Sequence, residues 1–247
     1  LRNQDDLMER ELTQMSSPFE LITIKKDISN EHPDKLEEVY YAQLEGEQKK
    51  LYEAEVQKIK FLVGKQSDQE FKENKFAILA ELTKLRQLCC YPGLLYDKYR
   101  QNSAKTDMGI DLICNAIEGG HKILLFSQFT TMLDKLSNLL NVKKIPYYKL
   151  EGKTSKKKRA EMVEAFQNDD VPVFLISLKA GGTGLNLTAA DIVIHYDPWW
   201  NTAVENQATD RTHRIGQDKV VTVYKLIMKD TLEERIIELQ SSKADLA

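Results

Sequence analysis

From Lys122 onward the chain alternates between two textures. Short, largely apolar runs at Ile123–Phe126, Tyr147–Leu150, Val173–Ile176, Ile192–Ile194 and Val220–Met228 have the length of buried strands. Between them apolar residues recur at three and four. Met132, Leu133, Leu136, Leu139 and Leu140 mark one helical face, and a helix begun by Ser155 turns Met162, Val163 and Phe166 inward. Leu232, Ile236 and Leu239 mark a closing helix. Strand and helix in alternation, with short links, predict a mainly parallel sheet flanked by helices, an α/β fold. Working residues then gather in the loops at the carboxyl ends of the strands.

Residues 1–100 read as mostly helical. Leu51, Tyr52, Val56, Ile59, Leu62 and Val63 form one amphipathic pattern. Ile78, Leu79, Leu82, Leu85 and Leu88 form a second, stopped by Tyr91-Pro92-Gly93. Phe19 to Leu44 holds shorter extended pieces around Asn30-Glu31-His32-Pro33. The polar stretch Gln101–Thr106 is taken as a linker, dividing a helical segment, 1–100, from an α/β segment, 101–247.

Composition narrows this only a little. A chain of 247 residues, 42% hydrophobic and 30% charged, is an ordinary globular protein with length enough for a core. Its net charge of −3 excludes a generally basic nucleic-acid binder, so any basic surface must be local. Cys89, Cys90 and Cys114 make no disulfide framework and no zinc-ligand spacing, which points to reduced thiols in an intracellular protein. No apolar run approaches bilayer length, and no membrane partner is expected. The chain begins at Leu1 and reads as a segment of something longer.

Two stretches carry candidate chemistry. The small-residue turn Ala180-Gly181-Gly182-Thr183-Gly184 is either a plain tight turn or a place where backbone approaches a phosphate. A dinucleotide fingerprint is excluded, because Leu187 stands where its third glycine is needed. Farther on, Arg211 and Arg214 stand three residues apart, which on a helix puts both guanidinium groups on one face. Such a pair is a solvated basic patch or a bidentate grip on phosphate. Gly152-Lys153-Thr154-Ser155 resembles the end of a P-loop, but Tyr147 occupies the position of the required first glycine. Without a P-loop or an acidic metal motif, this chain cannot cradle ATP and Mg2+ unaided. Lys153, Lys156, Lys157, Lys158 and Arg159 concentrate positive charge at a helix start, as a solvated face or a phosphate contact. Trp199 and Trp200, the only tryptophans, either fill gaps between helices or leave one indole exposed for stacking or a groove contact.

Together these residues resemble the second motor lobe of the Swi/Snf family of DNA translocases, in helicase superfamily 2. Lys122-Ile-Leu-Leu-Phe-Ser-Gln-Phe129 resembles motif IV, and Leu150-Glu-Gly-Lys-Thr154 resembles the phosphate-contacting motif after it. Ser177–Ala190 is similar to motif V, Asp197-Pro-Trp-Trp-Asn201 to the family hallmark, and Gln207–Gln217 to motif VI. Leu82–Leu95 is similar to the family's helical insertion.

The resemblance implies a RecA-like lobe preceded by a mostly helical protrusion. It implies that Arg211 and Arg214 reach the ATP phosphates as catalytic arginine fingers. Gly184, Asn186, Gln207 and Asp210 would line the nucleotide side of the cleft. Ser127, Gly152, Lys153, Thr154, Ser177, Lys179, Gly181, Trp200 and Asn201 would face DNA. No metal ligand is expected here. ATP and Mg2+ would be held mainly by the N-terminal RecA-like lobe of the same protein, which lies outside this chain. The expected partners are that lobe, double-stranded DNA and a protein cargo on DNA. The chain alone is expected to hydrolyse no ATP. The rival reading keeps the fold but makes the chain a non-catalytic DNA-binding or regulatory module. Short connections and no appended reader module favour a bacterial or archaeal source, hence the cytoplasm or nucleoid; a eukaryotic source would place it in the nucleus.

The chain departs from the family where Phe19–Ile28 lacks the usual paired arginine, and where Thr212 replaces the commoner alanine.

Overall fold

A computed structural model describes residues 35–64, 74–180, 185–210 and 219–244, with side chains described through 242. Six strands form one sheet: β1 (Lys35–Ala42), β2 (Ile123–Ser127), β3 (Tyr147–Leu150), β4 (Val173–Ser177), β5 (Ile192–His195) and β6 (Val221–Met228). Their order across the sheet is β1-β6-β5-β2-β4-β3, and every pairing is parallel. The helices are α1 (Gly46–Gly64), α2 (Lys75–Cys90), α3 (Ala104–Glu118), α4 (Thr130–Val142), α5 (Lys156–Asn168), α6 (Thr202–Thr209) and α7 (Leu232–Ala244).

Period-two geometry sends alternate residues of each central strand to opposite faces, and both faces are covered. Ile123, Leu125, Val173, Leu175, Ile192 and Ile194 pack with Ile110 and Ile113 of α3 and with Met132, Leu133, Leu136 and Leu140 of α4. Leu124, Phe126, Phe174, Ile176 and Val193 pack on the other side against Phe166 of α5, Leu187 and Ala208. This is why the strand sequences run apolar without a break. A third cluster joins Tyr52 of α1 and Ile78, Leu82, Leu85 and Leu88 of α2 to Met228, Leu232 and Ile236. The Tyr52 hydroxyl accepts a hydrogen bond from Leu232 N at 2.8 Å, which fixes α1 to the start of α7.

Two elements differ from the sequence reading. Lys35–Ala42 falls within Phe19–Leu44, where shorter extended pieces are expected, and is indeed extended; what differs is its place, as the edge strand of the sheet and not part of a separate helical segment, in register with β6 from Lys35↔Val221 to Ala42↔Met228. Its edge position leaves Leu36, Tyr40 and Tyr41 exposed, so no continuous apolar run marks it. The second difference is at Gln101–Thr106. Helix α3 starts inside that presumed linker, and Lys105 and Thr106 are buried. Gly109 lets α3 come close to the sheet, since a Cβ there would meet the Tyr196 ring at 3.2 Å.

Candidate functional site

The carboxyl ends of β2, β3 and β4 open into a groove lined by Gln128, Thr130, Glu151, Gly152, Lys153, Ser177 and Lys179. Four of the expected DNA-facing residues (Gly152, Lys153, Ser177 and Lys179) therefore meet at one place. A tight turn builds the floor beside β3. Thr154 N donates to Glu151 O at 3.0 Å, and Thr154 Oγ1 accepts from Glu151 N at 3.1 Å. No atom lies within 4 Å of where a Gly152 Cβ would stand, so bulky backbone can approach it. Lys153 extends into solvent from this turn, its Nζ 3.0 Å from the buried Glu151 carboxylate. Just beyond, Ser155 caps α5 by accepting from Lys158 N at 3.3 Å, which gives the basic run Lys156–Arg159 a helical start. Ser177 Oγ accepts from Ala180 N at 3.3 Å and keeps its own hydrogen to give. Apart from Lys153, which pairs with Glu151, the Ser177 hydroxyl, Lys179 and accessible backbone gather donors in one groove, a set suited to phosphate oxygens.

Ser127 sits differently. It is buried, its hydroxyl donates to Asp197 Oδ1, and it accepts from Phe129 N at 3.1 Å. Its one hydrogen is spent within the fold and so is not available to a phosphate oxygen; the hydroxyl supports the loop that opens the groove. Asp197 accepts a second bond from Gln128 N at 3.2 Å. Burial pushes its carboxyl above the ordinary range, against the pull of Ser127 and the Arg86 charge.

Of the other expected site residues, Gly181 in the DNA-facing set and Arg211, Arg214 and Gly184 in the nucleotide set lie outside the described residues. Asn186, Gln207 and Asp210 are exposed. Gln207 and Asp210 stand at the end of α6, a helix capped by Asn201, whose side chain accepts from Ala203 N at 2.9 Å. Asn201 is thus committed to starting α6. The same helix is anchored through its buried face. Glu205 accepts from Trp199 N at 2.7 Å and lies 3.4 Å from Lys225 Nζ on β6. Thr209 Oγ1 meets His195 Nε2 at 3.0 Å. His195 is fully buried, and burial drops its pKa from 6.5 to about 4, so the ring is neutral at physiological pH.

Beside the groove lies a set of buried charges that the sequence reading missed. Arg86, 5% exposed on α2, donates to Pro198 O at 2.5 Å. Its guanidinium carbon is 5.3 Å from the Trp199 ring centroid, 5.6 Å from Trp200 and 5.9 Å from Phe129. The two indoles part company: Trp199 packs on the cluster around Phe166, and Trp200 on the cluster around Leu82. Both are half-buried. Lys105 and Glu233, each wholly buried, meet at 2.5 Å, while Lys105 Nζ also donates to Tyr196 O at 2.9 Å. Burial alone would lower the Lys105 pKa, but Glu233 more than offsets it and keeps the ammonium above its ordinary value. One signal for Arg86 was available: it stands four residues after Leu82 and three before Cys89, inside the buried stripe of α2. Among the described residues no group of three or more His, Cys, Asp or Glu is placed to hold a metal ion, and no helix is long and apolar enough to cross a membrane.

Residues 104–216 match the helicase conserved C-terminal domain, and residues 1–94 match the SNF2-related domain. An uncharacterized ATP-dependent helicase of Mycoplasma pneumoniae is 43% identical over 95% of this chain and 22% of its own length. The chain spans about a quarter of the length of the curated relatives it matches. The SWI2/SNF2 ATPase C-terminal domain of Sulfolobus solfataricus superposes with a TM-score of 0.72 at 35% identity, covering 85% of this chain and 87% of that one. The same organism's ATPase core in complex with dsDNA gives 0.74 at 36%, covering 87% of this chain and 45% of that one. Sequence and sheet agree, and the chain belongs to the SWI2/SNF2 ATPase family, its parallel sheet being the RecA-like C-terminal lobe of that family.

Proposed function

We propose that this chain is the second motor lobe of an ATP-dependent double-stranded DNA translocase. It grips one strand through its phosphates and closes against the N-terminal RecA-like lobe around ATP. The observation that carries this reading is the groove over β2, β3 and β4, where Gly152, Lys153, Ser177 and Lys179 converge. Grip through phosphates makes the binding indifferent to sequence and sensitive to salt. A solved relative in complex with dsDNA supports the same assignment. We take α1 and α2 as the helical protrusion, with β1 belonging to the lobe. Mg2+ would be held by the N-terminal lobe. The cargo is protein bound along the DNA, in nucleoid or nucleus according to source.

Arg211 and Arg214 supply charge to the transferring phosphoryl group. Both act by position, each planar fork matching two phosphate oxygens. In the intact ATPase, Arg214→Ala should cost on the order of 10³–10⁵ in DNA-stimulated hydrolysis and leave DNA affinity unchanged. Arg214→Lys should rescue little. Wild-type turnover in Arg214→Lys would remove the arginine-finger role.

The groove is tested on the 247-residue chain itself by fluorescence anisotropy with labelled duplexes of unrelated sequence. Reversing charge at Lys153 and Lys179 together should weaken binding equally on all of them. It should also reduce the slope of log affinity against log salt by about one for each phosphate that a lysine no longer neutralises. Loss confined to one sequence, or no loss, would overturn the reading. The chain alone should release no phosphate from ATP above background.

A further inference from the structure

Arg86 has an environment that stability alone does not account for. Its side chain leaves α2, crosses to the loop after β5 and ends between the two indoles, with the Phe129 ring on a further side. One hydrogen bond, to Pro198 O, is its described polar contact, and Nε is buried without a partner among the described residues. A guanidinium carries five donors, and taking it out of water with so few of them met is unfavourable. A leucine or methionine of similar volume would fill the space without that cost, although it would withdraw the charge that faces the buried Asp197 carboxyl. What an apolar side chain lacks is a rigid charged plane. Set between two π faces that carry partial negative charge, such a plane fixes the orientation of both rings at once. The carbonyl of Pro198, immediately before Trp199, pins the backbone that carries them.

We infer that Arg86 is a positioning residue for the tryptophan pair. It holds Trp199 and Trp200 in the orientation in which Trp200 meets DNA, and it ties the placement of helix α2 to that contact. The role of Trp200 at DNA rests on the proposed function; the clamp on the indoles does not. An arginine on the helical protrusion thereby sets the geometry of an aromatic contact on the lobe.

Trp199 and Trp200 are the only tryptophans in the chain, so their emission reports this cluster alone. The experiment compares wild type, Arg86→Lys and Arg86→Met in the 247-residue chain. Without DNA, acrylamide quenching and the emission maximum read the exposure of the indoles, and circular dichroism reads the melting temperature. Arg86→Lys keeps the charge that faces the buried Asp197 carboxyl and is expected to melt near the wild-type temperature, while Arg86→Met removes it and is expected to melt lower yet stay folded. Both variants are expected to show faster quenching and a red-shifted maximum. Unchanged quenching in both folded variants would overturn the inference, and so would a lowered melting temperature of Arg86→Lys that alone explains the change.

A double-mutant cycle with duplex DNA then reads the coupling. Arg86→Lys should weaken binding about three- to tenfold in the wild-type background, the size of one cation–π contact. In the Trp200→Ala background it should weaken binding no further. Additive losses would overturn the claim that Arg86 acts through Trp200. If Trp200→Ala leaves affinity intact while the Lys153 and Lys179 reversals lower it, the groove stands and the positioning role falls.

Discussion

The two halves of the sheet's carboxyl edge are built on opposite principles. At the ends of β3 and β4, Lys153 and Lys179 stand in water, and turns leave donors free for an incoming group. At the ends of β5 and β6, Arg86, Lys105, Asp197 and Glu233 are withdrawn from solvent. Each of these is bound to backbone, ring or countercharge. Exposed charge interacts weakly with its neighbours and is available to a ligand, whereas buried charge is strongly coupled and fixes geometry. One half leaves its charge in solvent, and the other fixes the loops around it. The difference also predicts which substitutions damage folding and which damage binding.

The sharpest break should come at Lys105. Lys105→Met leaves the Glu233 carboxylate buried beside an apolar chain, and removing one partner of such a pair typically costs about 3–5 kcal/mol. Urea unfolding should show a large drop in midpoint, mostly recovered in Lys105→Met combined with Glu233→Leu. A midpoint unchanged in the single variant would mean that the pair contributes no fixed geometry.

Acid should come next. The His195 pKa lies at about 4 in the folded chain against 6.5 when exposed, so the unfolded chain binds the extra proton between those values. Its contribution is complete above pH 6.5 and falls away as pH drops toward 4, by roughly 3 kcal/mol in all. His195→Gln should flatten the fall in urea midpoint between pH 7 and 5. Equal acid sensitivity in the two chains would assign the loss to other groups.

The smallest effect on folding is expected in the open half. Lys153→Met should leave the melting temperature where it was and lower duplex affinity with a salt slope reduced by about one. A clear loss of stability there would erase the distinction between the halves.

The central strands were readable because two-sided burial demands apolar residues at every position, and β2, β4 and β5 fall where the apolar runs stand. β1 was readable only as an extended piece within Phe19–Leu44; its place in the sheet was not, since Lys-Leu-Glu-Glu-Val-Tyr-Tyr-Ala carries no apolar run of the kind that marks a central strand. Glycine, lysine and hydroxyl spacing around strand ends singled out Gly152, Lys153, Ser177 and Lys179, and these four line one groove. The buried charges were not legible in this way. Lys105 meets Glu233 across 128 positions of chain, and nothing local tells a paired lysine from a solvated one. Ser127 shows the converse: its motif position suggests an open hydroxyl, and Asp197, seventy residues on, takes it up.

The edge strand has a consequence for synthesis. β1 is made roughly 180 residues before β6, the strand it pairs with. At about 5–20 residues per second, it waits on the order of 10–35 s for that partner. Throughout that interval Leu36, Tyr40 and Tyr41 belong to a segment with unpaired backbone, a template for wrong pairing. Ile192–His195 meanwhile keeps an open edge of its own. A ribosome that stalls before Val221 therefore releases a chain with two unsatisfied strand edges, and quality control would meet that species first.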